Sequence, residues 1–304
     1  MTHAVFFPGL VPTTWSAIAD YVTEDPAARD RFGAAGEVLG YDLAAAYATA
    51  DVYDWEVYEA GFMALSLALA DWSVRDGGLA PSVCGGQSFG SVVGAVFTGA
   101  LSYEDGVRLV RDSVRVEQEW FEAQEEPLGC LFLYRLSEQA VDRLVQESCA
   151  AGRWAQVSVH LDNSVHAISG SIPTLGLIEQ RVREEGGYPF YTMNRAEHCP
   201  AVEGLRLRLA DEVYGRLTWH GAAVPMLSDV DGTLLTGGAE IRDDLLAGWT
   251  TPVHWSVIVG GLQEAGVERV HVVGPRSMFA RITNGVLPTD VVTPKVVRAA
   301  RRAA

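Results

Sequence analysis

Positive charge and cysteine are both scarce in this sequence. Lysine occurs once in 304 residues, at Lys295, and the formal net charge is -16. A chain this acidic lacks the basic face that nucleic acids and anionic membrane surfaces require. No C-x-x-C pair indicates a zinc knuckle or a disulfide framework among the four cysteines, which are Cys84, Cys130, Cys149 and Cys199. We therefore expect a cytoplasmic protein with no metal centre, no nucleic-acid partner and no membrane partner.

Long apolar runs are also missing. No uncharged apolar stretch approaches the ~18 residues of a membrane-spanning helix, and the N-terminus lacks the basic and apolar regions of a signal peptide. The chain contains no internal repeat and no low-complexity linker. With 48% hydrophobic and 20% charged residues, its composition allows a large buried core, arranged as one domain or as two.

The most informative stretch is Gly86-Gln87-Ser88-Phe89-Gly90. It follows a short apolar strand predicted over 81–85 and precedes a small-residue helix that begins at Ser91. A G-x-S-x-G turn between a strand and a helix is typical of a nucleophile elbow. Gly86 and Gly90 let the backbone pass close to a strained turn that lifts the Ser88 hydroxyl clear of the sheet. Ser88 is thus the predicted nucleophile, although five residues alone also fit an ordinary strand-to-helix turn.

The flanks of the elbow alternate between strands and helices. The strand at 4–7 ends in Pro8-Gly9, which leaves backbone N–H groups free at its tip. Helices are predicted at 15–22, 26–39 and 53–74, and another runs from Ser102 toward Trp120. Further along, a strand is predicted at 223–227, helices at 243–249 and 252–264, and a strand at 270–273. Arg298–Arg302 is predicted to be a solvated or frayed end.

A different pattern occupies the middle of the chain. Strands are predicted at 128–134, 154–161, 165–169 and 189–193, with helices at 137–149 and 174–185. The order β-α-β-β-α-β is the ferredoxin-like arrangement. We predict a ferredoxin-like lid subdomain at 126–194, inserted into a catalytic subdomain formed by 1–125 and 195–304. His198-Cys199-Pro200 follows the insertion directly, at a loop-to-helix junction.

Several of these motifs resemble the malonyl-CoA:acyl carrier protein transacylases. They occur in the right order over almost the whole chain, and they are Phe7-Pro8-Gly9, the elbow, Asp105–Val110, His198-Cys199, Ser228–Gly232, Pro252–Trp255 and Val273-Gly274-Pro275. The resemblance implies an α/β fold, with an α/β-hydrolase-like large subdomain built on a parallel sheet and an inserted ferredoxin-like small subdomain. It also implies a monomer.

The resemblance assigns a role to each site residue. Ser88 takes the acyl group from a thioester, and His198 is the general base. The backbone N–H groups of Leu10 and Phe89 form the oxyanion hole, and the main-chain carbonyl of Gly248 orients His198. No cofactor is bound. The acyl group arrives on the phosphopantetheine of a donor acyl carrier protein, or on coenzyme A, and leaves on an acceptor carrier protein.

One departure from the family concerns the acyl group. Members that use malonyl groups carry an arginine that grips the free carboxylate, and its position falls on Ser113 here. Arg111 and Arg115 lie two residues to either side, about 200° around a helix, so neither replaces it easily. Because an unpaired carboxylate is expensive to desolvate, we predict an acyl group without a second carboxylate.

Other departures define the predicted substrate pocket and docking surface. Gln87 replaces a histidine common in the family, and the specificity segment ends in Arg195-Ala196-Glu197, so the pocket residues are Gln87, Ser113, Arg195 and Glu197. The description resembles discrete acyltransferases of macrolactam polyketide pathways, which move aminoacyl or dipeptidyl groups between carrier proteins. Glu197 or Asp162 is a candidate partner for a substrate amine. The first candidates for docking an acidic carrier protein are Arg135 and Arg281, and the second candidates are Arg153 and Arg195.

The sequence alone also fits other activities. An acyl hydrolase that clears stalled chains, a malonyl transacylase, and an inactive carrier-binding scaffold share the fold. The run Asp229–Leu234 also matches the opening D-x-D-G-T-L motif of Mg²⁺-dependent phosphatases, but too little chain follows it, so we interpret it as a turn. Cys199 is interpreted as a packing residue.

Overall fold

The computed structural model describes residues 2–10, 13–162, 164–276 and 278–303. In chain order the strands are β1 (His3–Phe7), β2 (Val83–Gly86), β3 (Leu128–Tyr134), β4 (Ala155–His160), β5 (Val165–Ser171), β6 (Tyr188–Met193), β7 (Met226–Leu227), β8 (Leu234–Leu235), β9 (Val253–His254), β10 (Arg269–Val273) and β11 (Thr289–Val292). The helices are α1 (Trp15–Glu24), α2 (Pro26–Leu39), α3 (Leu43–Thr49), α4 (Trp55–Arg75), α5 (Phe89–Phe97), α6 (Tyr103–Glu122), α7 (Glu138–Ala150), α8 (Ile172–Glu184), α9 (Glu203–Glu212), α10 (Gly238–Gly248), α11 (Trp255–Glu264), α12 (Met278–Thr283) and α13 (Pro294–Ala303).

The first of two compact units comprises Met1–Val114, Arg216–Leu245 and Ile258–Ala304. Its six-stranded sheet has the order β11-β10-β1-β2-β7-β8, and every neighbouring pair is parallel except β7 with β8. Strand β1 lies inside the sheet, and Ala4–Phe7 are fully buried. Four consecutive apolar residues are typical of a parallel strand covered on both faces. The predicted parallel sheet is confirmed.

Local sequence signals set the helix starts in this unit. Helix α2 begins at Pro26, and the Asp25 side chain accepts a hydrogen bond from the Ala28 N–H at 3.1 Å. Helix α3 was not predicted. It has seven residues and its own aspartate cap, in which the Asp42 carboxylate accepts from the Ala45 N–H at 3.0 Å.

The second unit comprises Arg115–Gly215 and Leu246–Val257. Strands β6-β3-β5-β4 form an antiparallel sheet, as predicted for a ferredoxin-like subdomain. Residues of this sheet and of α7 and α8 form the apolar core, among them Leu131, Leu133, Leu144, Ile168, Ile178 and Val182. The unit extends beyond 126–194 because β9 adds a fifth strand, with Val159 and His160 paired to Val253 and His254 in parallel.

Two predicted elements were wrong. The stretch 252–264 was predicted as one helix, but its first residues form β9, because pairing with β4 overrides their helical pattern. The stretch Arg298–Arg302, predicted to be a solvated or frayed end, is solvent-exposed at Ala299–Arg302 but is not frayed, because it lies in α13. Ion pairs tie this helix to the first turns of the chain, from Arg298 to Asp20 at 2.6 Å and from Arg301 to Asp25 at 2.7 Å. Among the described helices, none has the length and apolar character needed to cross a membrane.

Candidate active site

Ser88 occupies the turn between β2 and α5. Its φ of 54° and ψ of -126° place it in a conformation that L-residues rarely adopt. The flanking glycines are required sterically. A Cβ on Gly90 would lie 2.1 Å from the Phe7 carbonyl oxygen, and one on Gly86 would lie 2.4 Å from the Ser91 nitrogen. The backbone therefore holds Ser88 in a nucleophile-elbow conformation.

The end of β1 lies against this elbow. The Gln87 N–H donates to the Phe7 carbonyl at 3.1 Å, and a Cβ on Gly90 would come within 2.6 Å of the Pro8 carbonyl oxygen. Phe89 is the first residue of α5, where helix geometry leaves N–H groups without intrahelical partners. Leu10 follows Pro8-Gly9 on the neighbouring segment. This local geometry suits the oxyanion-hole roles that the sequence predicts for Leu10 and Phe89.

An aspartate that sequence analysis left in a turn contacts the elbow directly. The Asp229 carboxylate accepts a hydrogen bond from the Ser88 backbone N–H at 2.6 Å. Asp229 is buried, and beside it the Ser228 hydroxyl donates to Asp244 at 2.6 Å. Burial raises the pKa of Asp244 to about 7. The signal available in the sequence was that Ser228-Asp229 follow β7 directly, as Gln87-Ser88 follow β2, and the ends of parallel neighbouring strands meet.

His198 is fixed through its ring and through the next residue. Its Nδ1 lies 2.7 Å from the carbonyl oxygen of Gly248, and the Cys199 N–H donates to the Trp249 carbonyl at 3.1 Å. Because a carbonyl only accepts, Nδ1 carries the hydrogen of the neutral ring and Nε2 is the nitrogen able to take a proton. This tautomer is the one that a general base needs.

Cys199, next to His198, is fully buried. Burial raises the pKa of its thiol to about 11. The thiol is therefore protonated near neutral pH and is a poor nucleophile. Packing remains the interpretation of this residue.

The predicted pocket residues of the first unit are uncharged and buried. Ser113 is 4% exposed, and neither its hydroxyl nor the side-chain oxygen of Gln87 has a hydrogen-bond partner. The arginines flanking Ser113 contact other groups: Arg111 pairs with Asp112 at 2.9 Å and Arg115 with Glu119 at 2.9 Å. Each guanidinium is thus paired with a neighbouring carboxylate of its own helix and not with a group at the position of Ser113.

Arg195 lies in the interior of the second unit. It is 5% exposed, and its guanidinium donates to Glu117 at 2.7 Å. The prediction that Arg195 helps to dock a carrier protein was therefore wrong, because this charge is buried and paired. Its Nε also lies 3.8 Å from the Glu197 carboxylate. Asp162, the other candidate for a substrate amine, instead accepts hydrogen bonds from its own loop, at Ser164 and Val165.

The three remaining docking candidates are exposed. Arg135 has a φ of 74°, and its guanidinium lies over the Tyr134 ring at 5.0 Å from the centroid. Arg153 and Arg281 are solvent-exposed as well. Their role in docking stays a prediction. Within the described residues, no group of three or more His, Cys, Asp or Glu side chains could hold a metal ion.

Comparisons with known proteins find similar chains. Residues 132–193 match the family described as the VinK acyltransferase small domain. The chain is 26% identical over 298 residues to the malonyl CoA-acyl carrier protein transacylase of Escherichia coli K12, covering 95% of this chain and 94% of that protein. The chain is malonyl-CoA:acyl carrier protein transacylase-like. This transacylase-like protein is an acyltransferase.

Solved structures share the fold of the transacylase-like chain. The malonyl-CoA:acyl carrier protein transacylase from Xanthomonas oryzae has a TM-score of 0.86 at 22% identity, covering all of this chain and 99% of that one. A malonyl-transacylase solved in complex with a type II polyketide synthase acyl-carrier protein has a TM-score of 0.84 at 24% identity, covering 96% of each chain. The polyketide biosynthesis protein ThaF of Burkholderia thailandensis is 26% identical over 94% of this chain, which spans 24% of ThaF.

Proposed function

We propose that this acyltransferase moves an aminoacyl or dipeptidyl group between acyl carrier proteins in polyketide biosynthesis, of the macrolactam and antibiotic type. The observation that carries the proposal is the buried, uncharged Ser113 at the position where malonyl-using relatives place an arginine. The buried arginine of the second unit, Arg195, is already paired with Glu117. A second carboxylate on the acyl group would lack a guanidinium partner at that position.

The proposed mechanism is ping-pong. His198 accepts the hydroxyl proton of Ser88, whose oxygen attacks the thioester carbonyl while the N–H groups of Leu10 and Phe89 stabilise the oxyanion. Collapse of the tetrahedral intermediate breaks the carbon–sulfur bond, and the protonated His198 gives its proton to the leaving phosphopantetheine thiolate. The acceptor thiol then repeats the sequence on the acyl-serine ester. The hydrogen bond to Gly248 keeps the ring in the required tautomer throughout.

The cost of burying charge favours a substrate without a second carboxylate. Burying an unpaired ion costs several kcal/mol. If about 3 kcal/mol of that cost is added to the activation barrier, the rate falls about a hundredfold. The same argument disfavours coenzyme A esters of malonate as donors. Carrier-protein donors and acceptors would dock on Arg135, Arg153 and Arg281, against the overall repulsion of two acidic proteins. The protein would work as a monomer.

Two other activities are separable from this one. The relatives named malonyl transacylases support malonyl transfer as a second candidate. An acyl hydrolase would use the same Ser88 and His198 but pass the acyl group to water. Both share the first chemical step with the proposed transferase, so the fate of the acyl-enzyme and the identity of the acyl group decide among them.

Intact-protein mass spectrometry tests the proposal. The protein is incubated with malonyl-CoA, a simple acyl-CoA, and carrier proteins loaded with aminoacyl or dipeptidyl groups, with Ser88→Ala as control. We expect an adduct from the loaded carrier proteins that is absent in Ser88→Ala and is discharged by a second carrier protein. Rapid loss to water would indicate the hydrolase, and efficient malonyl loading would contradict the argument from Ser113.

A further inference from the structure

Three buried charged side chains lie beside His198. Glu117 and Arg195 form a buried pair at 2.7 Å, and the Glu197 carboxylate is a third buried charge, in a residue 9% exposed. Its two oxygens lie 3.8 Å from the Arg195 Nε and 3.9 Å from the His198 Nε2. Both distances exceed a hydrogen bond. Glu117 thus makes the hydrogen bond to Arg195, and the Glu197 carboxylate lies close to Arg195 and His198 without a hydrogen bond to either side chain.

The backbone of Glu197 is held independently of its side chain. The Ser169 hydroxyl donates to the Glu197 carbonyl at 3.0 Å and accepts from the Glu197 N–H at 3.2 Å. The Ser158 hydroxyl donates to the same Ser169 oxygen at 2.7 Å. These three bonds use the donor and both lone pairs of a fully buried serine. The carboxylate is thus presented from a fixed point rather than from a loose loop.

Resting on the proposed function, we propose that Glu197 is the subsite for the ammonium group of the substrate. A carboxylate nearly removed from water gains most from a cation that arrives with a ligand. In the proposed mechanism His198 Nε2 exchanges protons with the reacting atoms, so a carboxylate 3.9 Å from it would meet substrate atoms two or three bonds from the thioester carbonyl. Glu197 therefore selects α- or β-aminoacyl groups, whose ammonium lies at that distance, over dipeptidyl groups, whose terminal amine is farther away.

The same carboxylate acts against dicarboxylic substrates. A malonyl group would bring its free carboxylate close to the like charge of Glu197, where the Arg195 guanidinium is already bound by Glu117. Specificity then has an attractive and a repulsive component. A competing role for Glu197 is to stabilise the protonated form of His198 during each half-reaction, in which case every acyl group would depend on it equally.

A matched pair of substrates separates these roles. Carrier protein loaded with β-alanyl or with propionyl differs only in the amine, and acylation of Ser88 is followed by mass spectrometry in the wild type and in Glu197→Gln. We expect the wild type to load β-alanyl about tenfold or more faster than propionyl. Glu197→Gln should lose that preference, with propionyl loading changed less than about threefold. Glu126→Gln, at an exposed carboxylate of the same unit, is the control.

The alternative outcomes each decide something. Equal slowing of both substrates in Glu197→Gln overturns the subsite and indicates that Glu197 acts through His198. A wild type without preference for β-alanyl also overturns the subsite. Loading by malonyl alone overturns the subsite together with the aminoacyl substrate. If no thioester loads, the proposed function fails. The subsite is then tested by calorimetry, which measures how pantetheine thioesters of β-alanine and of propionate bind to Ser88→Ala and to the double variant Ser88→Ala with Glu197→Gln. Equal affinities there would overturn it.

Discussion

The two regions that carry the proposed catalytic residues are held by different forces. Around Ser88 the constraint is steric, because Gly86 and Gly90 leave no room for a Cβ beside the backbone. Around His198 the constraint is polar, with Ser169 binding the backbone of Glu197 and Glu117 pairing with Arg195. The comparison teaches that the elbow tolerates changes of charge better than changes of volume. The segment before His198 should show the opposite tolerance.

Adding one methyl group at the elbow should have the largest effect. In Gly90→Ala the new Cβ would meet backbone atoms of Phe7 and Pro8, which have no side-chain freedom with which to yield. We expect a loss of about 4 kcal/mol or more in unfolding free energy, together with loss of Ser88 acylation. Urea denaturation and mass spectrometry measure the two effects.

The control for this substitution is Gly33→Ala in α2, where nothing lies within 4 Å of the added Cβ. It should stabilise the protein by about 0.5 to 1 kcal/mol through helix propensity. A stable and active Gly90→Ala variant would show that the elbow is not sterically fixed.

Removing one buried charge should have the next largest effect. Glu117→Ala removes the carboxylate that the buried Arg195 guanidinium contacts at 2.7 Å, which should lower the unfolding free energy by about 3 kcal/mol. The matched change is Glu119→Ala on the same helix, whose half-exposed carboxylate pairs with Arg115 and Arg208. There we expect a much smaller loss, because solvent screens the exposed pair. Equal losses in the two variants would mean that burial does not distinguish these pairs.

The elbow is also bound by a charged side chain, and removing that side chain should produce an intermediate effect. Asp229→Ala removes the acceptor of the Ser88 N–H, a charge-assisted hydrogen bond of 2.6 Å. We expect Ser88 acylation to slow about 10- to 100-fold, since such bonds contribute about 1.5 to 3 kcal/mol. Asp231→Asn, in the same turn but bonded to Thr233, is the control. Wild-type acylation by Asp229→Ala would assign Asp229 to turn stability alone.

The two constraints differ in how visible they are in sequence. The elbow was predictable because the glycine requirement is local, and the strand before it and the helix after it carry ordinary apolar patterns. Alternating strands and capped helices likewise gave the bounds of β3 and α2 to the residue. By contrast, Glu117 and Arg195 are 78 positions apart, and nothing local to either residue indicates the pair. Arg195 was therefore predicted to be a pocket residue and a docking arginine, and its pairing with Glu117 was missed.

Long-range pairing explains the other differences. The two-residue strand β9 is set by its pairing with β4 and not by its own sequence, which resembles the start of α11. The prediction therefore assigned it to that helix. Asp229 looked like a turn residue because its partner, the Ser88 N–H, is 141 positions away. Such contacts depend on the order of the strands in the sheet. The sequence predicted a parallel sheet, but it did not predict the order of its strands.

The smallest expected effect concerns pH and Asp244, beside the elbow. Burial, with a further contribution from the Asp229 and Asp231 charges, raises its folded pKa from 3.8 to about 7. Between these values the folded state binds more protons than the unfolded state, so this group's contribution to stability falls as the pH rises from about 4 to about 7 and then stays constant. Asp244→Asn should therefore lose less stability than the wild type between pH 5 and pH 8, as measured by urea denaturation. Asp243→Asn, at an exposed neighbour, should follow the wild type. A wild-type pH dependence in Asp244→Asn would place the titration elsewhere.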